Sequence, residues 1–245
     1  MSDLHLDSNQ FGDFERQALR QILKEERIDH LHIAGDLSND LTKISLPFLE
    51  TLKQEIPLSF NLGNHDMLGL SEQEISNYDF QVQQFGRTKL VSFSGWYDYS
   101  FAPEKSKEEH LRTKTNFWFD RRLERQLDDP SITSQTLQEL EKLLATLDGP
   151  IIIAMHFVPH QDFLYDHLYF QRFNAFLGSQ AFHRLFEIKN NMLFYSFYLI
   201  LKLQFLQEKY FLFQVKNNRL HLSYLHYQKI HIFYLFFQVF YFLQT

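Results

Sequence analysis

The sequence contains no cysteine among its 245 residues. Disulfide frameworks and thiolate metal sites are thereby excluded. Any bound metal must be held by His, Asp, Asn or Glu, a donor set suited to Mn, Fe or Zn. Positive charge is also scarce: 24 Lys and Arg stand against 30 Asp and Glu, for a net charge of −6. That balance leaves no electrostatic footprint for nucleic acid. No glycine-rich phosphate loop follows any apolar run, which removes a Rossmann-type nucleotide binder. The start has no basic segment leading into an apolar one, so it does not read as a signal peptide, and a cytoplasmic location is the default expectation.

Glycine and proline are few, 8 and 6 respectively, and they are placed unevenly. After Ala181 there is no Gly, Pro, Asp or Ala at all. Stretches such as FYLILKLQFLQEKYFLFQ and IFYLFFQVFYFLQ take over, without the turn residues that a folded domain needs. The longest apolar run there falls short of the ~20 residues of a membrane span, and Lys202, Glu208, Lys209, Lys216 and Arg219 interrupt the rest. Membrane association is therefore not expected. Residues encoded by A/T-heavy codons dominate the segment, as a frameshift in an A/T-rich gene would produce. The expected division is a globular domain over residues 1–188 and an anomalous, frameshifted tail over 189–245.

Within the first part, apolar patterning alternates between two periods. FGDFERQALRQILKEER places Phe14, Ala18, Leu19, Ile22 and Leu23 on one stripe and predicts a helix. ISLPFLETLKQ predicts another, with Pro47 in its first turn, and TSQTLQELEKLLATLDGP a third, which stops at Asp-Gly-Pro. SEQEISNYDFQVQQF also reads as helical. HLHIAGD, IPLSFNLGNHD, TKLVSFSGW and PIIIAMH read as strands. Alternation of this kind argues for an α/β sheet protein. Residues 98–130 are charged and aromatic, fit neither period, and are expected to form a lobe over the site.

Four short pieces carry chemistry: SDLH, AGDLSND, LGNHD and AMHFVPH. They place Asp3, His5, Asp36, Asn64, His65 and His156 at or near expected strand ends, where open α/β sheets keep their sites. Asp3 and His5 alternate with Leu4 and Leu6, so an extended backbone would point both polar side chains one way. Carboxylate, amide and imidazole together suit hard or borderline divalent ions. A shared carboxylate such as Asp36 can bridge two ions spaced about 3.5–4 Å apart, the arrangement that clamps an in-line phosphoryl displacement. Each piece alone is weak: Gly-Asn is ordinary turn chemistry, and a histidine after four apolar residues is more often a satisfied core residue. Their joint order is the signal.

That order, D-x-H, G-D, G-N-H-D and then a strand ending in His, resembles the calcineurin-like metallophosphoesterases over about residues 1–187. GWYDYS and HFVPHQDFLYDHLYFQRFNAFLGSQAF resemble the bacterial predicted-phosphohydrolase branch of that family. The resemblance implies two facing mixed β-sheets flanked by helices, and hydrolysis of a small phosphate ester by a hydroxide bound to two divalent ions. Carried over, Asp3 and His5 hold the first ion, Asp36 bridges both, and Asn64 and His156 hold the second. His65 contacts the scissile phosphate and protonates the leaving oxygen, with Asp66 orienting it, while His160 is a bystander.

The chain departs from the family pattern twice. The first strand should run into Asp3, yet only two residues precede it. The late G-H-x-H motif, which completes both ligand sets, has no counterpart, because no glycine follows Gly178. The implied fold is thus incomplete at both ends and the implied activity impaired. The rival expectation is a catalytically inactive remnant that binds a partner or a membrane through its aromatic tail.

Overall fold

The computed structural model describes residues 1–164 and 168–188 and, beyond them, strands at 192–196, 211–216, 219–224, 226–227 and 232–233. Most of the expected anomalous tail lies outside the described residues. Helix α1 (Asp13–Glu25) starts where Glu15 Oε2 accepts from the Gly12 backbone N–H at 2.8 Å, and it buries Leu19, Ile22 and Leu23. The expected stripe fails at Phe14, which is exposed. Phe11, just ahead of the helix, takes the core position instead, edge-on to Phe48.

Strands β1 (Leu31–Ala34) and β2 (Leu58–Asn61) pair in parallel, with Ala34 opposite Asn61. Helix α2 (Leu46–Lys53) connects them, with Pro47 in its first turn. The other edge of β1 is occupied by the first six residues. Ala34 N donates to Met1 O at 2.7 Å, Asp3 N to Gly35 O at 3.0 Å, His5 N to Asp36 O at 3.0 Å and Leu6 N to Leu37 O at 2.7 Å. Met1, Leu4 and Leu6 are buried against α1 and β1 residues. The segment is not a regular strand, because Asp3 and His5 have φ of 58° and 42°. A simple alternation of faces therefore does not describe it; the cross-bonds to residues 34–37 hold its direction.

The second sheet has the order β3–β4–β5–β6. Strands β3 (Gln81–Phe85) and β4 (Thr88–Phe93) form an antiparallel hairpin around Gly86, whose φ is +59°. Strands β5 (Ile151–Met155) and β6 (Met192–Ser196) extend the sheet in parallel, with Val91 opposite Ile153 and Ile153 opposite Phe194. Strand β6 thus continues the sheet past the boundary expected at residue 188. The helical expectation for residues 71–85 holds only for α3 (Glu72–Ser76), capped by Ser71. Cross-strand pairing of Gln81–Phe85 with β4 overrides the helical period of the local sequence. The two sheets meet through Ala34, Leu90 and Ala154, whose mostly small side chains let them approach closely. This two-sheet α/β architecture flanked by helices is the one expected.

Residues 98–130 do form a lobe. It contains α4 (Lys107–Phe117), capped by Ser106, and a 3-10 turn at Phe119–Arg122. It leads into α5 (Asp129–Thr146), which starts four residues before the stretch TSQTLQELEKLLATLDGP that predicts it, with Asp128 as cap and Pro130 in the first turn. The buried Asp129 carboxylate ties the lobe down. It accepts from Trp96 Nε1 at 2.9 Å, from the Tyr99 hydroxyl, and from Lys114 Nζ at 2.7 Å. Asp129→Ala leaves all three donors unpaired in a part-buried site, an expected cost of about 3 kcal/mol. At roughly 2–4 °C per kcal/mol for a domain of this size, thermal denaturation should show a drop of about 10 °C. An unchanged melt would mean that the lobe is held elsewhere.

Candidate metal centre

Each strand that feeds the site ends where its backbone turns sharply. After β1, Gly35 and Asp36 have φ of +86° and +56°. After β2, Gly63 sits against Asp36, so closely that a Cβ there would collide with the Asp36 carboxylate. The Asp66 carboxylate fastens the two turns together, accepting from Leu37 N at 2.9 Å, Ser38 N at 3.1 Å and Gly63 N at 2.9 Å. Asp66 therefore does not orient His65, contrary to what the resemblance implies. Its oxygens are spent on three backbone N–H groups of the turns. Burial and the neighbouring Asp36 push its carboxyl up to about 7.

The six expected site residues converge. His5 Nε2 lies 3.6 Å from Asp36 Oδ2 and 3.9 Å from Asp3 Oδ1. His156 Nε2 lies 3.6 Å from Asp36 Oδ1 and 3.2 Å from Asn64 Oδ1. Two sets of three donors each fall within 4.8 Å: His5, Asp36 and His65 in one, Asp3, Asp36 and His156 in the other. Asp36 belongs to both. The grouping places Asp3 beside His156, and His5 beside His65. His160 stands apart, its ring 4.1 Å from that of His183 and its Nδ1 3.3 Å from Asp162.

The imidazoles are oriented by their other nitrogens. His156 Nδ1 donates to Ala34 O at 2.9 Å, which turns Nε2 toward Asp36 and fixes the tautomer in the manner of a metal-ligating histidine. His65 Nδ1 pairs with Asn39 Oδ1 at 2.8 Å, and its ring stacks on Phe119 with centroids 3.6 Å apart. The His65 backbone N–H donates to Asp36 Oδ1 at 2.9 Å. Burial alone would raise the Asp36 carboxyl, but His156, His65, His5 and that N–H outweigh it and hold it below the ordinary value. Burial would depress His156, yet Asp36 and Asp3 leave it raised. Burial wins at His65, which is depressed despite Asp36.

Asn64 has its nitrogen engaged elsewhere: Nδ2 donates to Asp120 Oδ1 at 2.6 Å. Its Oδ1 is therefore a lone-pair group facing His156 Nε2. Carboxylate oxygens of Asp3 and Asp36, the Asn64 amide oxygen and imidazole nitrogens thus point into one small volume. No Lys or Arg among the described residues pairs with Asp3 or Asp36. Such a gathering of electron-pair donors fits divalent cations.

Three residues of this site were absent from the sequence expectation: Asn39, Phe119 and Asp120. Asn39 lies inside the quoted AGDLSND, and its offset from Asp36 was the available signal. Phe119 and Asp120 sit in the charged and aromatic stretch, where no periodicity pointed to them.

Comparison with known proteins agrees with the geometry. A family model described as calcineurin-like phosphoesterase matches residues 1–193. Among solved structures, the chain is similar to the crystal structure of phosphopantetheinyl hydrolase from Mycobacterium tuberculosis, with a TM-score of 0.58 and 19% identity over 80% of each chain. At that identity the likeness concerns the fold. A search of curated proteins gives no match. On the family match, the chain belongs to the calcineurin-like phosphoesterases.

Proposed function

We propose that the chain hydrolyses a small phosphate ester with two divalent ions, of Mn, Fe or Zn, held by Asp3, His5, Asp36, Asn64 and His156. The observation that carries this reading is Asp36, whose two carboxylate oxygens face different histidines, Oδ2 toward His5 Nε2 and Oδ1 toward His156 Nε2, each at 3.6 Å. Bound ions supply Lewis acidity toward the phosphoryl oxygens and an activated water. Asp36 spaces the two positions. Asn64 and His156 present lone pairs whose direction is set by Asp120 and by the Ala34 carbonyl. His65 is the group for the scissile phosphate and the leaving oxygen, its ring held by Asn39 and Phe119. Family membership supports phosphoester hydrolysis in general. The two-ion mechanism rests on the donor geometry and on the family resemblance.

We further propose that activity is low. The late G-H-x-H motif that the resemblance calls for has no counterpart beyond Gly178, and an ion with fewer ligands activates its water less well. The test is metal analysis of the purified chain together with hydrolysis of bis-p-nitrophenyl phosphate in Mn²⁺. Close to two equivalents of metal, with slow hydrolysis that disappears in His65→Ala, is the expected result. A chain that holds no metal and hydrolyses nothing sinks the enzymatic reading and leaves the inactive remnant.

A further inference from the structure

We propose that Asp120 is a positioning residue of the metal centre, acting through Asn64. The inference rests on the two-ion reading above and extends it into the lobe. An asparagine amide has two ends of nearly equal size and opposite hydrogen-bonding character. Only the oxygen end can serve a cation, so something must decide which way the amide faces. Here Asp120 Oδ1 lies 2.6 Å from Asn64 Nδ2. An ionised carboxylate accepts and cannot donate, so the Asn64 nitrogen is drawn toward Asp120 and the oxygen is turned to within 3.2 Å of His156 Nε2.

Asp120 is itself held. Its Oδ2 accepts from Trp118 Nε1 at 3.0 Å, and the Trp118 ring stacks against Phe176. The carboxylate is almost completely buried, and no Lys or Arg among the described residues lies within ion-pair distance of it. Lys114, paired with Asp129, acts on it only from beyond that distance, and burying a carboxylate without a direct ion pair is costly. Hydrophobic packing of the lobe gives no reason for it, whereas orienting a ligand does. The next residue back, Phe119, stacks on His65. Two adjacent residues of the lobe thus grip two adjacent residues of the turn after β2, one setting an amide and the other a ring plane. Outer-sphere partners of this kind typically account for 10–100-fold in metal affinity.

The test is calorimetric titration of the full chain with Mn²⁺. The wild-type chain should take up two ions, and Asp120→Leu, which removes both acceptors at similar volume, should weaken one of them about 10–100-fold and leave the other unchanged. Asp120→Asn keeps one acceptor and nearly the same shape; it should fall between the two, and it carries the test should the leucine variant not fold. Asn64→Ala should weaken the same ion. Adding Asp120→Leu to Asn64→Ala should then weaken it no further, because coupled residues give non-additive losses. A folded Asp120→Leu chain with two wild-type affinities overturns the inference alone. So does an equal further loss in the double variant, which would mean that Asp120 acts on the ion by another route. Absence of Mn²⁺ binding by the wild-type chain overturns the metal-centre reading, and this inference with it.

Discussion

Asp36→Asn should abolish binding of Mn²⁺ at both positions and lower any phosphoesterase activity by about 10³-fold or more, equivalent to roughly 4 kcal/mol of barrier. The size of the effect follows from the residue's place in both donor sets. One amide oxygen can still accept from the His65 N–H, now 2.9 Å from Asp36 Oδ1. The amide nitrogen then replaces Oδ2, 3.6 Å from His5 Nε2, and presents hydrogens where a cation would sit. Turning the amide over moves the problem to the His156 side, where Nε2 is 3.6 Å from Oδ1. Neither orientation serves two ions. A thermal readout separates this from a folding defect: Mn²⁺ should raise the wild-type melting temperature, because a ligand bound only by the folded state stabilises it. The variant should melt at one temperature with or without Mn²⁺. A variant that still takes up two equivalents would remove Asp36 from the junction and with it the two-ion reading.

The parts of this site that could be read from the residues are those that follow a strand. His156 closes an unbroken apolar run, and Asp36 and Asn64 each follow a short strand and a glycine, so residue type and joint order brought them forward as candidates. Asp3 and His5 were found for a partly wrong reason. Their expected extended backbone is left-handed at both positions, and what aims them is the set of cross-bonds from residues 1–6 to residues 34–37. A carboxylate beside a histidine looks like its partner, whereas the bonds of Asp66 go to backbone groups of two turns, among them Leu37 and Ser38, 29 and 28 residues away in the chain. The same limit hid Asp120, 56 residues from Asn64. Local periodicity reports which face is buried and says nothing about which distant amide a buried carboxylate will meet. It also misassigned Gln81–Phe85, where pairing with β4 decides the conformation. The composition change after residue 188 remains a reading of the sequence, since most of those residues lie outside the described ones, although β6 shows the sheet continuing to Ser196.

Gly63→Ala should disable the site as thoroughly as removing a ligand, although it deletes no ligand atom. A methyl group at Gly63 would collide with Asp36 Oδ1 and come within 2.6 Å of Asp36 N and 2.8 Å of its Cγ. The turns cannot simply part, because Asp66 bonds Gly63 N on one side and Leu37 N and Ser38 N on the other. The strain must therefore be relieved by moving the Asp36 carboxylate or by breaking the Asp66 bonds. Overpacking of this kind costs about 1–3 kcal/mol, a fall of roughly 2–12 °C in melting temperature for a domain of this size. Catalytic and metal-binding constellations tolerate only about 0.5 Å of displacement, so Mn²⁺ binding should be lost even in the fraction that stays folded. Gly69→Ala supplies the contrast. Gly69 has φ of +78° with nothing near a built Cβ, so alanine there meets backbone strain of about 1 kcal/mol and no steric clash, and Mn²⁺ binding should be retained. Calorimetry on the two variants distinguishes contact at the Asp36 carboxylate from general loss of stability. If Gly63→Ala binds two ions as tightly as the unsubstituted chain, the close approach of the two turns does not set the position of Asp36.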